Sequence, residues 1–406
     1  MKHPSQTSGL TIVIKVGTSS ICDEKSHFPI LSNLSGLVET VLKLKSLQHR
    51  VVVVTSAAVG TGLRRLNIAE KPSKLAARQA VAAVGQGRLM ALYDDLFGQF
   101  NQPVAQVLLT KNDLSDRSQY LNAVSCLEEL LSMDVVPIVN ENDTISTQGI
   151  RFGDNDTLAA ITAGMIKADY LFLMTDVDCL YTDNPRTNPD ARPVLLCDDV
   201  AALKDKVSVV SGGSALGTGG MITKLIAADL ATAAGVTTVI THGSKTTNIC
   251  KIINSNNDDN QKTPSETPLH TKFTAKNNPM LDRKWWILHG LHTAGTIYID
   301  AGAAKAVVTP GLRSSLFAAG IVDVQGKFNA QQAVQICLRQ TTVEGDKTHL
   351  VDVAIGKGLV NYSSAEITRI KQCNSSEIAG ILGYVNADCV IHRDNLVRVA
   401  QEQEIS

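Results

Sequence analysis

The chain has 406 residues, which is long enough for two domains. Its 44% hydrophobic and 19% charged residues are typical of a folded globular protein and exclude an intrinsically disordered one. A net charge of −1 excludes a global attraction to nucleic acid or anionic membranes, without excluding a basic patch on one domain.

Between residues 11 and about 242, short apolar runs alternate with segments of helical periodicity. The runs are rich in Val, Ile and Leu and predict strands at residues 11–16, 51–55, 104–109, 135–140, 170–175 and 238–241. Helical periodicity covers residues 30–44, 75–97, 121–131 and 225–234. This alternation predicts an α/β fold, a three-layer αβα sandwich with a mainly parallel central sheet.

Towards the carboxyl terminus, the alternation of strand and helix patterns gives way to short strand candidates. We expect a catalytic domain over residues 1–275, with a polar loop or insert at 254–265. Short strand candidates at 296–299, 320–324, 334–338 and 351–355 are separated by glycines and followed by a helix near 364–372. They predict a small β-rich barrel over residues 282–400.

The eight cysteines are scattered, and they form no C-x-x-C pair. They favour reduced, buried thiols in a cytosolic protein. Residues 1–9 are polar, and no apolar run approaches the roughly 20 residues of a membrane span. We therefore expect a cytoplasmic protein with no membrane association.

A glycine cluster, G-T-G-G at residues 217–220, runs directly into a helical pattern that carries Lys224 in its first turn. Glycines allow close backbone approach to a ligand, and a helix start presents N–H groups and a positive dipole end. A lysine is unfavourable there unless an anion binds nearby. The pattern predicts a phosphate site, although a helix-entry turn with no ligand explains the glycines equally well.

Lys15 lies inside an otherwise apolar strand and is followed by Gly17-Thr18-Ser19. Burial of an ammonium group is costly unless it meets an anion, and the residues after it supply backbone and hydroxyl donors that suit phosphate oxygens. The alternative is that Lys15 reaches solvent from the strand end.

Polar residues also follow the other predicted strands. They are Thr55-Ser56, the segment 140–144, the loop 153–156 and Thr175-Asp176. Each alone is explained as a helix cap, but the carboxyl ends of parallel strands meet at one sheet edge. Two lysines, two glycine-containing loops and an acid/amide cluster at that edge predict a phosphoryl-transfer site. Mg²⁺ would be held mainly by the nucleotide phosphates, with no dedicated protein metal site.

Two familiar kinase signatures do not apply. No G-x-x-x-x-G-K-[ST] P-loop occurs. His392-Arg393-Asp394 matches the start of a protein-kinase catalytic loop, but position 399 is Val where Asn is required, and no D-F-G follows.

The set of motifs resembles the glutamate 5-kinase (γ-glutamyl kinase) family of the amino-acid-kinase superfamily, with a C-terminal PUA domain. The motifs are I-K-V-G-T-S at residues 14–19, V-T-S at 54–56, N-E-N-D at 140–143, G-D-N-D at 153–156, T-D at 175–176 and G-T-G-G-M-x-T-K at 217–224. The match is nearly end to end, and L-M-T-D-V-D-C-L-Y at 173–181 resembles a fungal-like version.

The resemblance implies ATP-dependent phosphorylation of the γ-carboxylate of L-glutamate, the first step of proline biosynthesis. It implies that Lys15 and Lys224 contact the phosphates, held by Asp156, and that Ser56, Asp143 and Asn155 bind glutamate. The residues that it implies for the nucleotide are Lys15, Gly17, Thr175, Asp176, Gly217, Thr218, Gly219, Gly220, Met221 and Lys224.

The same resemblance implies further partners. Proline is expected as a feedback inhibitor, the protein as a homo-oligomer, and glutamate-5-semialdehyde dehydrogenase as the enzyme that receives the product. RNA binding by the PUA domain is disfavoured, because residues 285–398 carry no marked excess of Lys and Arg.

One departure from the family motif and one alternative substrate class stay open. The family has Ser-Gly-Ala where this chain has Ser56-Ala57-Ala58, and alanine is strained there if its φ is positive. A kinase of the same superfamily that acts on aspartate or another small acceptor is the alternative activity.

Overall fold

The computed structural model describes residues 9–23, 25–110, 113–114, 117–145, 155–183, 188–200, 203, 220–257, 267–276, 284, 287–288, 291, 293–309, 314–344 and 347–399. The chain divides into two compact units, Met1–Met280 and Leu281–Ser406. Each unit has its own cluster of buried apolar side chains.

The first unit is built on an eight-stranded sheet with the order β3-β4-β2-β1-β5-β9-β10-β8. Neighbouring strands from β3 to β9 run parallel, whereas β10 pairs antiparallel with β9. A small antiparallel pair, β6 with β7, lies apart. The strands are β1 (Thr11–Val16), β2 (Arg50–Val54), β3 (Val104–Leu109), β4 (Val136–Glu141), β5 (Tyr170–Thr175), β6 (Leu180–Tyr181), β7 (Pro193–Val194), β8 (Leu196–Cys197), β9 (Thr237–His242) and β10 (Thr271–Phe273).

Helices connect these strands, as the parallel order requires. The described helices of this unit are α1 (Thr18–Ile21), α2 (Leu31–Ser46), α3 (Ala58–Arg65), α4 (Leu75–Gly98), α5 (Arg117–Ser132), α6 (Asn155–Met165), α7 (Met221–Ala233) and α8 (Asn248–Asn257).

Alternation along β1 assigns its side chains to the two faces of the sheet. Ile12, Ile14 and Val16 join the apolar cluster formed with α2, α4 and α8. Helix α6 packs on β1 and on α7, and the alternation gives Lys15 to that opposite face. All six residues of β1 are buried, as expected for a sheet covered on both sides.

The second unit carries a five-stranded mixed sheet with the order β12-β11-β13-β14-β15. Its strands are β11 (Gly295–Ile299), β12 (Ile321–Gly326), β13 (Ala333–Glu344), β14 (Lys347–Leu359) and β15 (Leu396–Arg398). Its helices are α9 (Ala301–Val308), α10 (Ser364–Ile370) and α11 (Ile378–Leu382). A capping box between Ser363 and Glu366 begins α10. His392-Arg393-Asp394 lies in a short 3₁₀ turn of this unit, where His392 accepts a hydrogen bond from the Asp394 backbone.

The predicted fold class is confirmed, and the six predicted strands of the first unit agree with the structure to within one residue at each end. The predicted loop at 254–265 is wrong at its start, because residues 254–257 continue α8. Ile249, Ile252 and Ile253 anchor this helix in the core, and their burial overrides the low helix propensity of the asparagines that follow. The rest of the predicted loop, from 258, lies outside the described residues.

All eight cysteines are unpaired, and six of them are buried. Within the described residues, no helix is both long enough and apolar enough to cross a membrane.

Candidate active site

Polar side chains gather where the adjacent parallel strands β4, β2, β1 and β5 end. The register pairs Lys15 with Val54 of β2 on one side and with Leu173 of β5 on the other. Ser56 therefore follows one neighbouring strand, and Thr175 ends the other. Helix α6 begins at Asn155 and α7 at Met221, so both present their first turns to this group.

Asp156 joins the two lysines that the sequence singles out. Its Oδ1 lies 2.5 Å from Lys15 Nζ, and its Oδ2 lies 2.9 Å from Lys224 Nζ. The three residues are buried, with 0% exposure for Asp156, 4% for Lys15 and 6% for Lys224. Two ammonium groups thus share one carboxylate, which offsets the repulsion between them and the cost of their burial.

The position of Asp156 follows from the sequence of α6. It lies in the first turn, where a carboxylate is favoured by the helix dipole. Leu158, Ala159, Ala160 and Ile161 follow it and are buried. Packing of this apolar helix against the sheet and against α7 holds the carboxylate in one place.

Lys224 lies in the first turn of α7, as predicted. Gly220 caps this helix without a side-chain hydrogen bond. Thr223 Oγ1 donates to the Gly220 carbonyl oxygen at 2.6 Å and contacts Asp156 Oδ2 at 3.3 Å. Thr223 belongs to the G-T-G-G-M-x-T-K motif, whose segment the resemblance assigns to the nucleotide, but no individual role is predicted for it. Its position three residues after Gly220 is the sequence feature that could have predicted a contact at the start of the helix.

On the other side of Lys15, amide side chains surround the turn after β2. Asn155 Nδ2 donates to the Thr55 carbonyl oxygen at 2.6 Å, and it lies 3.0 Å from Ser56 Oγ and 2.9 Å from Asn140 Oδ1. Two of the three residues predicted to bind glutamate, Ser56 and Asn155, are therefore in direct contact.

Ala57 is the N-cap of α3 and has φ 78° and ψ 9°, in the left-handed region. The sequence left open whether alanine is strained at this position. Its positive φ shows that it is.

Asp143 lies just beyond β4 and is half-buried. Burial raises the pKa of its carboxyl to about 6, and the charge of Glu141 adds to this rise, while Lys71 opposes it. Burial and the neighbouring Arg78 lower the pKa of Lys71. Asp143 thus titrates close to neutral pH.

Residues predicted to contact the nucleotide lie around Lys15 and at the end of β5. A Cβ added at Gly17 would lie 3.5 Å from Lys15 Nζ, so glycine keeps the space beside that ammonium open. Thr175 is buried and donates to the exposed Asp176 at 3.2 Å. Gly220 and Met221 begin α7. Gly217, Thr218 and Gly219 lie outside the described residues.

Within the described part of the chain, no group of three or more His, Cys, Asp or Glu side chains could hold a metal ion.

Sequence reasoning missed the polar contacts behind the site. Gln86 of α4 accepts a hydrogen bond from Asn140 at 2.8 Å, and Thr55 bonds to Tyr93 at 2.8 Å. Gln86 and Tyr93 occur in an ordinary helical pattern, where nothing in the sequence separates them from other residues of α4.

Comparison with known proteins accounts for both units. The amino acid kinase family matches residues 10–242, and the PUA domain matches residues 295–382. A relative from Schizosaccharomyces pombe (strain 972 / ATCC 24843), named "Probable glutamate 5-kinase", is 55% identical over 98% of this chain and 95% of its own length. The chain belongs to the amino acid kinase family, among its glutamate 5-kinases.

Further members of this family are similar over nearly the whole chain. Glutamate 5-kinase of Rippkaea orientalis (strain PCC 8801 / RF-1) is 48% identical over 95% of this chain and 98% of its own length. Glutamate 5-kinase of Nostoc punctiforme (strain ATCC 29133 / PCC 73102) is 48% identical over 96% of this chain and 99% of its own length. The family resemblance predicted from the motifs, including its fungal character, is confirmed.

Proposed function

We propose that this protein transfers the terminal phosphoryl group of ATP to the γ-carboxylate of L-glutamate, which gives γ-glutamyl phosphate for proline biosynthesis. Relatives named glutamate 5-kinase, which match almost the full chain, support this reaction. The observation that carries the proposal is the contact of Lys15 and Lys224 with the single carboxylate of Asp156.

Charge is the main obstacle to this reaction. A carboxylate must approach a polyphosphate, and the two repel each other. Two ammonium groups, fixed in advance by one buried carboxylate, stabilise the negative charge on the transferred group without reorganisation during the reaction. Lys15 and Lys224 would contact the phosphates, and Asp156 would act through them as a positioning residue.

The acceptor needs no general base. The γ-carboxylate of glutamate has a reference pKa of about 4.3 and is ionised at neutral pH. Ser56, Asp143 and Asn155 therefore serve to bind and orient glutamate.

The residues beside Lys15 fit a nucleotide phosphate. Gly17 keeps space open next to the ammonium group, and α7 starts without a side-chain cap, so its first N–H groups suit phosphate oxygens. Thr175, Asp176 and the segment 217–221 would bind the rest of ATP. Mg²⁺, when bound, would neutralise phosphate charge and be held mainly by the phosphates.

Feedback inhibition by proline, a homo-oligomeric state and hand-over of the product to glutamate-5-semialdehyde dehydrogenase stay predictions that rest on the family resemblance. We expect proline to compete with glutamate for the site that contains Ser56 and Asn155.

The test compares wild type with Lys224→Ala in an assay of ADP release that depends on ATP and glutamate. Loss of one preorganised charge should lower kcat by about 10²–10³. Lys276→Ala is the control, because Lys276 is exposed and pairs only loosely with Asp229, at 3.5 Å. It should keep normal turnover.

Near-normal turnover of folded Lys224→Ala would remove the phosphate role of this lysine. Trapping of the acyl phosphate with hydroxylamine, across a panel of acids, identifies the acceptor. Activity with aspartate and none with glutamate would replace the proposed substrate.

A further inference from the structure

A row of amide side chains links α4 to the turn that carries Ser56. Gln86 Oε1 accepts from Asn140 Nδ2 at 2.8 Å, and Asn140 Oδ1 lies 2.9 Å from Asn155 Nδ2. Gln86 and Asn140 are buried, at 8% and 2% exposure. The row ends at Asn155, which the proposed function places against the amino-acid acceptor.

Backbone groups at two points determine which way each amide faces. The Thr55 carbonyl oxygen can only accept, so Asn155 must turn its NH₂ group towards it. The Glu141 N–H can only donate, and its nitrogen lies 2.9 Å from the Asn140 side chain. The Asn140 atom that faces it must therefore be the oxygen, Oδ1. The NH₂ group of Asn140 then faces Gln86, which must present its own oxygen.

Gln86 turns its oxygen towards Asn140, and this orientation leaves its own NH₂ group without a hydrogen bond to any described residue. Its Nε2 is buried and has no hydrogen-bond partner among the described residues. An unsatisfied buried donor is unfavourable, so its presence needs an explanation. The orientation of Asn140, and through it of Asn155, supplies one.

We propose that Gln86 is a positioning residue that holds Asn155 with its side-chain oxygen towards the acceptor, so that the site recognises the α-ammonium group of an amino acid. The oxygen and the NH₂ group of a carboxamide lie on opposite sides of its axis. Since the NH₂ group faces Thr55 and Asn140, the oxygen is left to accept from a ligand donor. This inference rests on the proposed function for the location of the acceptor.

The test uses the full-length protein, with glutamate and with glutarate, which lacks the ammonium group. Gln86→Met keeps the size of the side chain and removes the oxygen. We expect the KM for glutamate to rise about tenfold, with kcat and the KM for ATP within about twofold of wild type. The preference for glutamate over glutarate should fall about tenfold as well.

Two further variants separate positioning from a general loss of packing. Gln102→Met makes the same change at a glutamine that is also 8% exposed. Gln102 lies just before β3, away from the strand ends that form the site, and its side chain donates to the backbone oxygens of Pro103 and Asp134. This substitution should change none of these kinetic constants. Gln86→Glu keeps an oxygen for Asn140 and should recover most of the affinity for glutamate.

An unchanged KM and an unchanged preference in folded Gln86→Met would overturn the inference. Equal efficiency of glutarate and glutamate with wild type would also overturn it, and that measurement needs no variant to fold. Wild type that uses neither acid would instead refute the proposed function.

Discussion

Ala57 carries backbone strain next to a proposed substrate ligand. Its φ of 78° places Cβ close to the following carbonyl oxygen, a conformation that costs an L residue about 1–2 kcal/mol. The family resemblance implies glycine at this position. The turn that presents Ser56 therefore holds Ala57 in a backbone conformation that alanine disfavours. The packing of α3 must contribute the free energy that this conformation costs.

Ala57→Gly should relieve this strain. We expect the free energy of unfolding to rise by about 0.5–1 kcal/mol, since part of the gain is offset by the greater freedom of glycine in the unfolded chain. Denaturant titration measures the change. Ala58→Gly is the matched control, because Ala58 is the first helical residue of α3, and glycine there should destabilise. A destabilised Ala57→Gly would contradict the account.

Asp143 makes stability depend on pH. Its folded pKa of about 6 lies above the ordinary value of 3.8, so the folded protein binds this proton more tightly than the unfolded chain does. The stability that the bound proton contributes is fully present below about pH 4 and is lost as the pH rises through about 6.

Asp143→Asn stays neutral at every pH. It should therefore be about 3 kcal/mol more stable than wild type at pH 8, with the difference vanishing below about pH 4. It should also bind glutamate more weakly, because one of the residues proposed to bind glutamate loses its charge. Thermal unfolding from pH 4 to 8 tests the first effect, and the KM for glutamate tests the second. Asp95→Asn, on the exposed side of α4, should produce neither effect.

At the scale of elements, the site depends on how closely α3 lies against α4. A Cβ on Gly85 would overlap the carbonyl oxygen of Ala58, and one on Gly62 would overlap that of Val81. These two glycines let the helix backbones touch. Because α3 begins just after Ser56, its position sets the turn at the glutamate site.

Gly85→Ala should force the two helices apart. We expect a loss of about 3 kcal/mol or more in the free energy of unfolding and a higher KM for glutamate, measured by denaturation and steady-state kinetics. Gly87→Ala is the control on the same helix, since its Cβ would meet nothing within 4 Å. Alanine there should stabilise α4 by about 1 kcal/mol. Equal effects at the two positions would refute the packing argument.

Element prediction succeeded where local pattern and burial agree. Strand β1, with six buried apolar-rich residues, was predicted at its observed bounds. Strands β8 and β10, with two and three residues, were not predicted, since so short a segment carries no periodicity. Helix α8 was not predicted, and its last residues lie in the segment expected to be a loop, because contacts with the core, absent from any local pattern, stabilise it.

At the scale of the whole molecule, the described site residues all belong to the first unit, and the second unit has a separate apolar core. The domain limits of 1–275 and 282–400 stay a prediction. We expect a chain that ends at Met280 to fold and to phosphorylate glutamate with a kcat within about threefold of the full chain, because each unit buries its own core. Circular dichroism and kinetics of that shortened chain test this expectation. A folded but inactive fragment would show that the second unit is needed for catalysis.

The sequence by itself determined the fold class, the family and the chemistry of the site, since apolar periodicity and motif order are local properties of the chain. It named Lys15, Asp156 and Lys224, which are far apart along it. Only the tertiary structure decided that both lysines meet opposite oxygens of one carboxylate, that Ala57 has a positive φ, and that Gln86 stands behind Asn155. Such contacts depend on how sheet and helices pack, and packing is set by the whole core rather than by any one segment.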